Sequence, residues 1–214
     1  MQNLCKHFAP AHSNVVNKGD DVTDVSQAQP VDNMTELSIQ RLADGDGLEF
    51  DRFVEQYQPR IARLVSRLLG WSQDSHDVVQ DVIVDVLKGF KTFRQESSVD
   101  TWLTRITINA CRRHQRRLVL RRMGLGVLIS RHDHAAQITE TNSGLDDETL
   151  ASVRAAVRKL PTREREVIVL RYLEQLPIAQ IAALLGISKN NAEVRLHRGR
   201  ERLRQLLSEL NEAT

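Results

Sequence analysis

The sequence predicts an all-α protein: two small helical domains joined by a flexible linker. Three observations carry that prediction. Apolar residues recur at three- and four-residue spacing in two separate blocks, as the core-facing stripe of a helix requires. Only 10 Gly and 5 Pro occur in 214 residues, so helix breakers are sparse. Between the blocks, residues 119–147 lose periodicity and gather Gly124, Gly126, His132, Asp133, His134, Asn142, Ser143 and Gly144. At 41% hydrophobic and 4% aromatic, the chain can build cores, and those cores must be aliphatic.

Residues 1–35 are polar and aperiodic and are expected to be an unstructured N-terminal extension. Met34, just before the first helical pattern, is a candidate start of translation. The first block, 36–118, has its expected breaks at Gly45, Gly47 and Gly70. Phe50, Phe53, Val54, Tyr57, Ile61, Leu64, Val65 and Leu68 form the stripe of one long helix. The next helix contains Asp77, Asp81 and Asp85, four residues apart and therefore stacked on one face. Like charges at that spacing cost a few tenths of a kcal/mol per pair, so a partner should offset them. No His or Glu completes a metal shell on that face, which favours a plain solvated acidic face or an acidic docking surface for a basic protein partner over a cation site.

The block closes with Phe90–Arg117. Trp102, Leu103, Ile106 and Ala110 fall at helical spacing and should be core, and Ser98 or Asp100 could cap their helix. Asn109, Arg112, Arg113, Arg116 and Arg117 emerge on or beside the opposite face, with Phe93, Ser97 and Ser98 in the loop before. Aromatic and polar groups beside an arginine row suit single-stranded nucleic acid.

The second block, 148–210, reads as a short helix pair and a long basic helix. Ile178, Ile181, Ala182 and Leu185 line one face, and Gly186 supplies the left-handed helix exit. Ser188 is placed to cap the following helix. Ala192, Leu196 and Leu203 should then face inward, leaving Lys189, Asn190, Asn191, Glu193, Arg195 and Arg198 outward. This is a helix-turn-helix layout, whose second helix enters the major groove of DNA. A plain amphipathic hairpin with a solvated face would share the turn and the apolar stripe.

Charge sharpens the choice. The net value is only +2, but residues 1–50 carry 3 basic and 8 acidic side chains, whereas residues 150–214 carry 12 and 7. A basic excess growing toward the C-terminus suits contacts with phosphates. The chain has no apolar run of membrane-spanning length, and MQNLCKHFAPAHS lacks the core of a secretion signal. Cys5 and Cys111 are too few and too far apart for a disulfide framework. A cytoplasmic protein without metal or other cofactor is expected.

The order of these segments resembles bacterial RNA polymerase sigma factors of the extracytoplasmic-function (ECF) group. FDRFVEQYQPRIARLVSRLLG, DVVQDVIVDVL and VDTWLTRITINACRRHQRR are similar to their region 2. LPTREREVIVLRYLEQLPIAQIAALLGISKNNAEVRLHRGRERLRQLL is similar to region 4. The likeness covers about two-thirds of the chain, with no room for a region 3 domain.

The resemblance implies a non-enzymatic factor that binds core RNA polymerase at its clamp helices and flap. Asp77, Gln80 and Asp81 would dock on the clamp helices. Asn109 would take part in capturing a flipped base of the −10 element, with Phe93, Ser97 and Ser98 in the neighbouring loop. Arg112, Arg113, Arg116 and Arg117 would grip the adjacent backbone. Ser188, Lys189, Asn190, Asn191, Glu193, Arg195 and Arg198 would address the −35 element, and Arg171 its phosphates. An anti-sigma factor is implied as a further partner.

The chain also departs from the family. Pro177 replaces a usual Ser or Thr, Asn190-Asn191-Ala192 replaces Gly-Thr-Val, and Gly199 replaces Ala, which should loosen the recognition helix by nearly 1 kcal/mol. The pair His132 and His134 finds no family role. Two other classes compete. A dimeric helix-turn-helix regulator of duplex DNA would leave Phe90–Arg117 unexplained, and a metal-dependent nuclease would have to use Asp77, Asp81 and Asp85.

Overall fold

The computed structural model describes residues 36–125 and 147–212, and every described element is helical. The expectations for residues 1–35, for Met34 and for His132, Asp133 and His134 lie outside the described residues. Four helices come from the first block: α1 (Glu36–Asp44), α2 (Gly47–Leu69), α3 (Ser75–Phe90) and α4 (Val99–Leu125). Four more come from the second: α5 (Asp147–Lys159), α6 (Thr162–Ile168), α7 (Ile178–Leu185) and α8 (Lys189–Glu212).

The breaks follow local chemistry. Gly45 takes φ +86, and Asp46 caps α2 by accepting from the amides of Leu48 and Glu49. Gly70 ends α2 in the left-handed conformation. The Ser98 hydroxyl accepts from the Thr101 amide at 3.2 Å and so opens α4, while Asp100 instead pairs with Arg60. The first block was expected to end at 118, but α4 runs to Leu125. Arginine and leucine sustain a helix well, and nothing before Gly124 interrupts it. One irregularity had no sequence signal. Residues Val169–Leu173 form a π-helical turn, closed by the Glu174 amide on the Val169 carbonyl at 3.1 Å.

Helices α2, α3 and α4 pack together around Phe53, Tyr57, Leu64, Val78, Val82, Val86, Phe90 and Ile108, all buried. Phe90 organises one end, with Phe53 edge-on at 5.0 Å and Trp102 at 5.0 Å. The Trp102 ring lies so close to Gly89 that a Cβ there would meet it at 2.8 Å. In the second block α8 lies on α5, α6 and α7; Leu203 joins a core with Val167, Ile168, Leu170 and Ile181, and Ala192 is buried as well. Complete burial of one such aliphatic side chain is worth about 1.5–3 kcal/mol.

Gly199 corrects a sequence expectation. It is buried, and a Cβ there would stand 2.8 Å from Ile168 Cγ1. It therefore permits α8 to approach α6 closely, and the helix-propensity cost is offset by that packing.

Candidate nucleic-acid interface

The recognition-type helix begins where Gly186, at φ +66, turns the chain out of α7, with the Ile187 amide on the Ala182 carbonyl at 3.0 Å. Ser188 caps α8 by accepting from the Asn191 amide at 3.2 Å. Buried Ala192 then pins the first turn against the core. Pro177 precedes α7 in an extended conformation and disturbs nothing. These anchors leave Ser188, Lys189, Asn190, Asn191, Glu193 and Arg198 exposed, with Arg195 half-buried. Asn191 Oδ1 accepts from Arg195 Nε at 2.9 Å, and Lys189 stands 3.9 Å from Glu193. Val194, 40% exposed, lies in the same row. A valine in a helical pattern carries no local mark of whether it is exposed or core, so spacing alone does not single it out. Arg171 donates to the Leu176 carbonyl at 3.0 Å and so closes the turn before α7.

The α4 face is arranged differently. Thr107, Ile108, Ala110 and Cys111 point into the core, which leaves Asn109, Arg113, Arg116 and Arg117 exposed and Arg112 partly so. Asn109 carries an amide outward from within α4. Phe93 is half-buried against Trp102 at 4.7 Å and belongs to the aromatic cluster, while Ser97 and Ser98 are exposed. Part of the Ser98 hydroxyl's capacity is taken by the α4 cap.

Most of the arginine row is held within the chain. Arg117 Nη2 donates to Asp81 at 2.8 Å and Arg113 donates to Asp85, each across α3 and α4. His114 of α4 stands 3.3 Å from Asp74, the residue just before α3. The aspartate ladder thus finds its offsetting charges in α4, two arginines facing two of its three carboxylates. Arg112 reaches into the second block instead. Its Nε and Nη2 donate to the two oxygens of Glu166, each at 2.7 Å. Those hydrogen bonds to Glu166 raise the Arg112 pKa, against a smaller opposing effect of burial. Nearby, burial lowers the pKa of Arg165. Burial, reinforced by Glu166, pushes the Cys111 thiol up to about 12, so it is neutral and inert.

On α3, Asp77 and Gln80 are exposed, and Gln80 bonds His76 at 3.1 Å. Val84 and Leu87 share their face and are 46% and 41% exposed. The run VVQDVIVDVL hid both, since exposed and core valines look alike in it. Among the described residues no cluster of His, Cys, Asp or Glu could hold a metal ion. No helix of the described residues is long and apolar enough to cross a membrane.

Two helical blocks, one bearing an asparagine–arginine face and the other a capped helix-turn-helix, define the class to which comparison with known proteins points. The model of sigma-70 region 2 matches residues 53–121, and that of sigma-70 region 4 matches residues 150–203. The ECF RNA polymerase sigma factor SigM of Mycobacterium tuberculosis is 32% identical over 168 residues, spanning 78% of this chain and 81% of the relative. SigW of Bacillus subtilis is 27% identical over 184 residues, 83% of this chain and 98% of the relative. Among solved structures, CnrH in complex with the cytosolic domain of CnrY is similar, with a TM-score of 0.57 and 28% identity over 81% of this chain and 96% of that one. So is the sigma factor RpoE of Bartonella quintana in complex with the anti-sigma factor NepR, with a TM-score of 0.59 and 26% identity over 75% of this chain and 97% of that one. The chain belongs to the ECF group of RNA polymerase sigma factors. Its function is promoter recognition for RNA polymerase, and the family is not one of enzymes.

Proposed function

We propose that residues 36–118, with α4 continuing to Leu125, read the −10 element and dock on the polymerase clamp helices, and that residues 148–210 read the −35 element and contact the flap. Residues 119–147 join the two. The observation that carries this reading is the exposed row Lys189, Asn190, Asn191, Glu193 and Arg198, projected from a capped helix whose back is sealed by Ala192. Amide and guanidinium groups there suit base edges and phosphates, Arg195 is held ready by Asn191, and Val194 offers an apolar contact for a thymine methyl.

In the first module Asn109 assists in holding an unstacked base, and Arg112, Arg113, Arg116 and Arg117 take the adjoining phosphates. Extruding a base costs a few kcal/mol, which contacts to it must offset. Phe93 supports that face through Trp102, and Ser97 and Ser98 border it. Asp77, Gln80 and Asp81 meet the polymerase, with Val84 and Leu87 as apolar neighbours. Each module alone binds weakly; polymerase sets their separation, so engagement of one makes the other effectively intramolecular.

The chain acts in the cytoplasm, performs no covalent chemistry and leaves phosphodiester synthesis to the polymerase. The complexes of CnrH with CnrY and of RpoE with NepR support an anti-sigma factor as a further partner. Run-off transcription with core polymerase and a promoter library tests the reading. Transcripts should require the protein, share a −35/−10 pair and fall at least tenfold with Asn109→Ala. Duplex binding without any dependent transcript would sink it in favour of a dimeric regulator.

A further inference from the structure

We infer that, in the free protein, the second module closes on the first through Glu166, whose carboxylate holds Arg112 in the place of a DNA phosphate. This rests on the reading of Arg112 as a backbone contact. Both Glu166 oxygens are engaged by one guanidinium at 2.7 Å, the two-pronged geometry that phosphate also offers arginine. The residues are 54 apart in sequence, and Glu166 is 4% exposed. One guanidinium edge cannot serve both anions, so DNA and Glu166 exclude each other there.

The surrounding contacts form a built seam. Arg67 of α2 donates to Glu174 at 2.8 Å and to the Leu173 carbonyl at 3.2 Å. Arg154 of α5 lies over the ring of Trp71, 5.9 Å from its centroid, and Trp71 is 6% exposed. Gly70 lets α5 approach, since a Cβ there would stand 3.2 Å from Arg158 Cα. Arg113 and Arg117 find their aspartates within the first module, so opening the seam leaves those pairs intact. Arg112 is the member of the row whose partner changes. Lys189, Asn190, Asn191, Glu193 and Arg198 of α8 are exposed in this closed arrangement, so closure withholds the −10 contact selectively.

Trp71 is a native reporter of this seam. In the full-length Trp102→Phe protein it is the sole tryptophan, and its acrylamide quenching can be followed without polymerase. Glu166→Gln and, separately, Glu174→Gln should raise the quenching constant at least twofold while far-UV circular dichroism is unchanged. If the closed form outnumbers the open one by about ten to one, a −10 single-stranded oligonucleotide should bind Glu166→Gln about five- to tenfold tighter. Should Glu166→Gln fail to fold, the charge swap Arg112→Glu with Glu166→Arg tests the same contact: it should restore the low quenching that Arg112→Glu alone loses. Unchanged quenching in folded Glu166→Gln and Glu174→Gln, or a swap that stays open, would overturn the latch whatever the DNA result. Increased quenching with no gain in DNA affinity would instead overturn Arg112 as a DNA contact, and the competition with it.

Discussion

The α4 face and the α8 face draw on similar residue types, yet one is largely committed within the molecule and the other is open. On α4, Arg112, Arg113 and Arg117 each hold a carboxylate of another helix. On α8 the pairings of the outward row are local, Asn191 with Arg195 and Lys189 with Glu193 along one helix. Exposed pairs of the latter kind are worth little and yield readily to a ligand. Cross-helix pairs also tie secondary structure together, so a ligand taking those arginines must compete with the fold. Under the proposed function, a ligand of the open face displaces only local pairs, whereas a ligand of the committed face has to exchange partners with other helices.

The largest effect expected from a single change that probes this contrast is at Gly199. Alanine there gains helix propensity of nearly 1 kcal/mol but overpacks against Ile168, which typically costs about 1–3 kcal/mol. Gly199→Ala should therefore lower the midpoint of thermal unfolding, and a raised midpoint would show that the back of α8 is looser than its geometry indicates. Next, Ser188→Ala removes the cap and should cost about 1 kcal/mol in urea unfolding, along with −35 duplex affinity. An unchanged midpoint would mean that buried Ala192 alone organises the first turn.

Arg117→Ala should cost less than about 1 kcal/mol, because the pair with Asp81 is roughly half exposed on both sides. A larger loss in chemical denaturation would show that the aspartate ladder depends on it. Lys189→Ala should leave stability within about 0.5 kcal/mol and reduce the log-affinity versus log-salt slope for duplex DNA by about 0.9. An unchanged slope would remove Lys189 from the phosphate contacts.

The pH response offers a test at the seam. The folded pKa of Cys111 is raised, so its contribution to stability is fully present below about 9 and is lost as pH rises toward about 12. Cys111→Ala should flatten the stability profile over that window relative to the parent. Parallel profiles would indicate that the thiol is more solvated than its 3% exposure implies.

Much of this molecule is written locally. Helix periodicity, the Gly186 exit, the Ser188 cap and the inward set Ala192, Leu196 and Leu203 follow from spacing and short-range hydrogen bonding, and all recur in the fold. The aspartate ladder could be read as needing a partner, because like-charge repulsion is a local quantity. Which groups answer it, Arg113 and Arg117, depended on how α3 lies against α4. Three features were decided by tertiary structure alone: the π turn at Val169–Leu173, the fit of Gly199 against Ile168, and the union of Arg112 with Glu166. A sequence determines caps and periodic faces because they arise within one or two helical turns. Close approach and ion pairing between distant segments arise only when the chain has folded, since they depend on distances through space that no local spacing encodes.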